Sequence, residues 1–178
     1  MEAEFVELCS DGDLEGVWDA LLSGVDVNSK GRFGYTGLMW ALLNSHTAVA
    51  SFLLEQEGLD IDIVSDCHDM TALWLAAVND QNSECLALIL AKSSSVNQAA
   101  ESGRTALWAV DHNAVRCVQV LLSDERTDPN IKDDAGDTPL MIAVKWNDVA
   151  CVELLLADPR VDLMTRDNYQ RSEEEVAR

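Results

Sequence analysis

Four tetrads fall on one period: Thr36-Gly37-Leu38-Met39, Thr71-Ala72-Leu73-Trp74, Thr105-Ala106-Leu107-Trp108 and Thr138-Pro139-Leu140-Met141. The threonines stand 35, 34 and 33 residues apart, and Ser172 follows Thr138 by 34 to open a fifth, incomplete unit. A period of this length on a Thr-x-Leu core predicts a stacked solenoid, not a closed globule. One unit alone cannot bury its apolar side; the next unit supplies the missing neighbour.

The unit beginning at Asp133 shows the local grammar. Asp133-Asp134-Ala135-Gly136-Asp137 is polar and carries glycine, so it predicts a tight turn. Thr138 is the expected helix N-cap, with Pro139 in the first turn, where a missing N–H costs nothing. Leu140 to Val144 form a short apolar-faced helix, broken at Asn147-Asp148; asparagine tolerates the left-handed backbone of a helix end. Cys151 to Leu156 form a second helix, and Asp158-Pro159-Arg160 ends it. The other second helices end in Leu21-Leu22, Leu53-Leu54, Ile89-Leu90 and Leu121-Leu122. Exits follow at Asp26-Val27-Asn28, Asp60-Ile61-Asp62, Val96-Asn97 and Asp128-Pro129-Asn130. Gly12, Ser45 and Asn113 take the place of Asn147 between helices. Repeat lengths vary by one residue, so bulges are expected near Asp60–Ser65 and Gln81–Glu84. The first helix around Trp108 reads one residue short.

Charge and cysteine usage exclude several classes. The 178 residues carry 32 acidic against 12 basic side chains, a net charge of −20. Such a chain gains nothing from counterion release on a duplex or an anionic membrane, so neither is an expected partner. The same charge attracts a basic segment. No apolar run approaches the roughly 18–20 residues of a membrane span. The acidic start Met1-Glu2-Ala3-Glu4 lacks the pattern of a secretory signal, which predicts a cytoplasmic or nuclear setting with reduced thiols. Five cysteines, an odd count, argue against a disulfide framework. Cys85, Cys117 and Cys151 recur in one register and read as small buried hydrophobes, whereas Cys67 reads as an exposed thiol in a turn. Cys67-His68 has no further ligands at metal-binding spacing, and no cofactor or metal is expected. There is no phosphate loop, nucleophile elbow or HExxH, so no enzymatic role is expected.

These features together resemble the ankyrin repeat family: the Thr-x-Leu tetrads, the Leu-Leu helix ends, the Asp26-Val27-Asn28 exit, and Asp133-x-x-Gly136-x-Thr138-Pro139-Leu140. The resemblance implies an all-α solenoid of helix-turn-helix units joined by β-hairpin-like turns, with a concave binding face. It divides the chain into a capping repeat at 1–30, full repeats at 31–65, 66–99, 100–132 and 133–166, and a partial repeat at 167–178. The usual histidine that ends the tetrad is replaced by Met39, Trp74, Trp108 and Met141.

The implied function is recognition of a protein or peptide by the turn tips and first-helix ends. By register these are Phe33 and Tyr35, His68 and Met70, Arg104, Asp134 and Asp137, and Tyr169 at the tips. The helix ends supply Asn44, Asn79, Asp111 and His112, and Lys145 and Trp146. Trp146 is the sharpest pointer, since an aromatic at an exposed register often dominates interface energy. Trp74 and Trp108 are expected to pack on each other's repeats as extra core, each indole N–H on a carbonyl. Trp40 is expected in the core and Trp18 on the outer side of its helix. Asp66, Asp69, Glu101, Asp133, Asp134, Asp137 and Asp167 would line the tips as an acidic ladder. Asp66, Asp133 and Asp167 are read as bonding local backbone, the others as a track for basic side chains. Other readings stay open: a homo-oligomeric scaffold through exposed aromatics or the C-terminal end, a regulatory segment of a larger protein, enzymatic ones included, or an engineered binder on the same frame.

Overall fold

Threonine heads each tetrad because a helix start leaves backbone N–H groups without partners. In the computed structural model, which describes residues 2–108, 114–166 and 168, the Thr36, Thr71 and Thr138 hydroxyls accept the N–H groups of Met39, Trp74 and Met141 at 3.3, 3.2 and 3.2 Å. Thr105 differs: Ala106–Trp108 form a turn, and its buried hydroxyl finds no partner among the described residues. The first helix expected there, one residue short, runs into residues 109–113, which lie outside the described residues.

The described residues form nine α-helices: α1 (Glu2–Asp11), α2 (Leu14–Leu22), α3 (Gly37–Leu43), α4 (Thr47–Leu54), α5 (Ala72–Ala77), α6 (Ser83–Lys92), α7 (Val115–Ser123), α8 (Pro139–Lys145) and α9 (Val149–Ala157). Gly12, Ser45 and Asn147 take positive φ at the breaks within α1/α2, α3/α4 and α8/α9; Asn113 lies outside the described residues. First helices stack as α1 on α3 on α5, and second helices as α2, α4, α6, α7, α9. The architecture is an all-α solenoid. Among the described residues, extended pairing is limited to the bridges Lys30–Thr36 and Ala100–Arg104. A continuous core runs through the stack: Phe5, Leu38, Met39 and Leu42, then Leu53, Leu75, Leu86 and Ile89, then Leu121, Leu140 and Met141 are all buried. Each such side chain contributes about 1.5–3 kcal/mol, available only when neighbouring units meet. Cys85, Cys117 and Cys151 are buried in register, as expected. Trp18, on α2, is half exposed and stacks on Phe52 of α4 at 5.5 Å.

One edge is joined by backbone at the turn tips. Phe33 O accepts the Asp66 and Cys67 N–H groups, His68 O accepts Glu101 N–H, and Ser102 O accepts Asp134 N–H. Phe33, His68 and Ser102 adopt φ of 62°, 66° and 65°, which turns each carbonyl toward the next tip. The second tip is one residue longer. Ser65 N–H reaches Met70 O, whereas Gly31, Ala100 and Asp133 reach Tyr35, Arg104 and Asp137. The expected bulge near Asp60–Ser65 therefore lies within the tip itself, and the one near Gln81–Glu84 is the 3-10 turn Asp80–Asn82 before α6. In the longer tip Asp69 occupies the place of Gly34, Gly103 and Gly136, at φ 50°. A side chain there is strained, so Asp69→Gly is expected to raise stability by about 0.5–1 kcal/mol in urea unfolding.

The opposite edge is joined by side chains. Asn28, Asn97 and Asn130 each donate to a carbonyl of the following exit (Gly58, Arg126 and Arg160 O, all 2.8 Å). Each amide oxygen also accepts an N–H, from Asp60, Asp128 and Asp162. Asp62 stands where asparagine would be and can only accept; Ser93 and Ser94 supply hydroxyl donors to it. Arg160 adds a clamp: its guanidinium donates to Leu122, Asp124 and Thr127 carbonyls of the previous unit while held by Asp158.

Candidate functional site

The tips and first-helix ends were the predicted contact surface, and the structure sorts them by what each side chain already touches. Trp146 caps α8 and is 61% exposed, its backbone N–H bonded to Ile142 O at 3.0 Å. Lys145 beside it reaches back to Asp137, whose carboxylate is almost wholly buried. Phe33 is 49% exposed with the Arg32 guanidinium 5.1 Å from its ring centre. Leu43 is also exposed at the end of α3. Asp134 is exposed on the fourth tip, and its carbonyl accepts from the Asn168 amide.

Other predicted residues are occupied within the stack. Tyr35 was expected at the surface; it is 8% exposed, its ring 5.4 Å from Trp40 and its hydroxyl donating to the Met70 sulfur at 3.2 Å. Burial, then the nearby Cys67, pushes its phenol above the usual range. Met70 is accordingly half-buried. Asn44 donates to Ser10 O and Oγ, and Asn79 to Ser45 Oγ, so both tie one unit to the preceding one. His68 pairs with Glu101 on the next tip. Arg104 lies over the Trp108 ring, 4.0 Å from its centre. Asp111, His112 and Tyr169 lie outside the described residues.

The tryptophan and acid expectations need two corrections. Trp74 and Trp108 make no ring contact with each other among the described residues, and neither buried indole N–H finds an acceptor there; Arg104 covers Trp108 instead. The acidic ladder is interrupted. Asp66 holds Lys30 at 2.8 Å and is not the local backbone acceptor; in the longer tip Ser65 Oγ takes that part, accepting Met70 N–H. Asp133 does accept the Ala135 and Asp137 N–H groups. Asp66, Glu101 and Asp137 are paired with Lys30, His68 and Lys145, which leaves Asp69 and Asp134 as the exposed rungs outside an ion pair among the described residues; Asp167 lies outside the described residues.

A family model described as ankyrin repeats (3 copies) matches residues 5–100 and 81–167. The chain belongs to the ankyrin repeat family. The crystal structure of the ankyrin repeat protein EF0377 superposes with a TM-score of 0.87, covering 99% of this chain and 91% of that one at 24% identity, which shows the shared fold. A bovine mitochondrial disaggregase is 30% identical over 145 residues, 78% of this chain and 20% of that protein. The transient receptor potential channel pyrexia of Drosophila melanogaster is 33% identical over 118 residues, 66% of this chain and 12% of that protein. The chain thus spans a fifth or less of these relatives. Ankyrin repeats are generally protein-interaction modules.

Burial pushes the thiols of Cys9, Cys117 and Cys151 up to about 12, with Asp80 and Asp148 adding to the effect at the latter two, so none is a thiolate at neutral pH. No group of three metal-ligating side chains occurs among the described residues, and no described helix is long and apolar enough to cross a membrane. Arg126 makes the same clamp as Arg160, donating to the Leu90 and Ser93 carbonyls while held by Asp124; neither clamp was singled out from sequence. Their signal was present in the repeated Asp124-Glu125-Arg126 and Asp158-Pro159-Arg160.

Proposed function

We propose that this ankyrin domain is a non-catalytic recognition module that docks a protein segment across its tips and first-helix ends. The carrying observation is Trp146, a large aromatic held at a helix end with most of its surface in solvent. Phe33 and Leu43 extend the apolar surface at the other end of the array. The net charge of −20 favours a segment bearing lysine or arginine and speeds its encounter. Trp146→Ala is expected to weaken binding by about 2 kcal/mol, roughly 30-fold, while stability changes by about 0.5 kcal/mol or less. The check is titration of a captured partner against both proteins, with thermal melts alongside. Unchanged affinity removes Trp146 from the site.

A second reading is a regulatory ankyrin segment within a longer protein. It is favoured by the small share of the disaggregase and pyrexia chains that align. Under it the partner surface could lie on the same polypeptide, and a longer form would compete with the captured partner in the same titration.

A further inference from the structure

The second-helix face carries a surface that the tip-and-first-helix reading leaves unused. On α2, Trp18 is 52% and Leu22 73% exposed, although both belong to a helix whose Val17 is fully buried. Trp18 is not loose: its ring stacks on Phe52 of α4 with centroids 5.5 Å apart and planes 26° from parallel. A pinned aromatic loses little conformational freedom on binding, which is the property of an interface anchor. On α2 the carboxylates Glu15 and Asp19, three before and one after Trp18, are exposed, as is Glu55, three after Phe52 at the C-cap of α4. The charge here is one-sided well beyond this patch. Sixteen carboxylates precede Lys92, against two cations, Lys30 and Arg32, and neither α2 nor α4 carries any lysine or arginine.

We propose that the outer face of α2 and α4 is a second docking surface, for a basic amphipathic helix of a partner protein. Its apolar side covers Leu22 and the Trp18 ring stacked on Phe52, and its lysines or arginines meet Glu15, Asp19 and Glu55. The apolar pair calls for an apolar stripe on the visitor. The acidic rim repels an acidic one and offers a guanidinium carboxylates beside the Trp18 ring, whose face attracts a cation.

The test uses a fluorescein-labelled helical peptide of about 18 residues, leucine on one face and lysine on the other, and a matched peptide with glutamate for lysine. Anisotropy is followed with the unchanged chain, Trp18→Ser/Leu22→Ser, Leu22→Lys and Trp146→Ala. The expected result is binding of the lysine peptide alone, weakened at least ~10-fold by the double variant and by Leu22→Lys, and retained in Trp146→Ala. Leu22→Lys decides the matter if the double variant melts early, because Leu22 is too exposed for its loss to unfold the chain. Equal binding by Leu22→Lys, or equal binding of the glutamate peptide, overturns the proposal. Loss of binding in Trp146→Ala alone also overturns it and returns the peptide to the first-helix side. A light-scattering dimer of the unchanged chain that Leu22→Lys dissociates overturns it too, since the occupant is then a second copy.

Discussion

Gly34→Val is expected to destabilise the array by about 3 kcal/mol or more in urea unfolding. Two causes act together. Gly34 has φ of 72°, a conformation that a β-branched residue adopts only under strain. A Cβ at this position would also sit 2.4 Å from the Asp66 backbone N and 2.3 Å from its Cγ. Backbone cannot move aside without breaking the bonds from Phe33 O to the Asp66 and Cys67 N–H groups. Gly58→Val is the control: its φ is 77°, but nothing lies within 4 Å of the added Cβ. It carries the strain without the clash. If the two variants lose the same stability, the close approach of the first two tips is not what demands glycine.

Arg160→Ala is expected to cost about 2 kcal/mol, the loss of several charge-assisted hydrogen bonds discounted for partial exposure. The guanidinium binds the Leu122 carbonyl in the last turn of α7 at 2.7 Å, Asp124 at its C-cap at 3.1 Å and Thr127 in the turn beyond at 3.0 Å. Arg160→Lys is expected to recover less than half, because an ammonium cannot span three carbonyls and a carboxylate in one plane. The variant also changes acid sensitivity. The hydrogen bond from Arg160 holds the Asp158 carboxyl below its ordinary 3.8. A carboxylate depressed by folding stabilises the fold above that ordinary value and loses the contribution as pH falls below it. Unfolding free energy of the unchanged chain should therefore fall more steeply below pH 3.8 than that of Arg160→Ala. Parallel curves would mean the clamp is solvent-screened and contributes little.

Much of this was legible because the repeat enforces it. Thr36, Thr71 and Thr138 announce helix starts because each hydroxyl oxygen accepts the N–H three residues on, and local bonds can be read locally. Cys85, Cys117 and Cys151 announce burial by sharing a register. Tyr35 was misjudged because its exposure depends on Met70, a residue 35 positions away that receives its hydroxyl. Asn44 and Asn79 looked available for the same reason; their partners, Ser10 and Ser45, belong to the preceding unit. Asp66 changed role because one inserted residue moved Ser65 into the backbone-bonding position of the tip.

Periodicity, caps and apolar spacing in the chain alone determined that it is a row of paired helices with tips on one edge, since these follow from contacts within one unit and between identical registers. Which polar side chains remain for a visitor was decided only by the stacked structure. A hydrogen bond between units pairs residues some thirty positions apart whose identities vary from unit to unit, and only their positions in space show which donors and acceptors have already been taken.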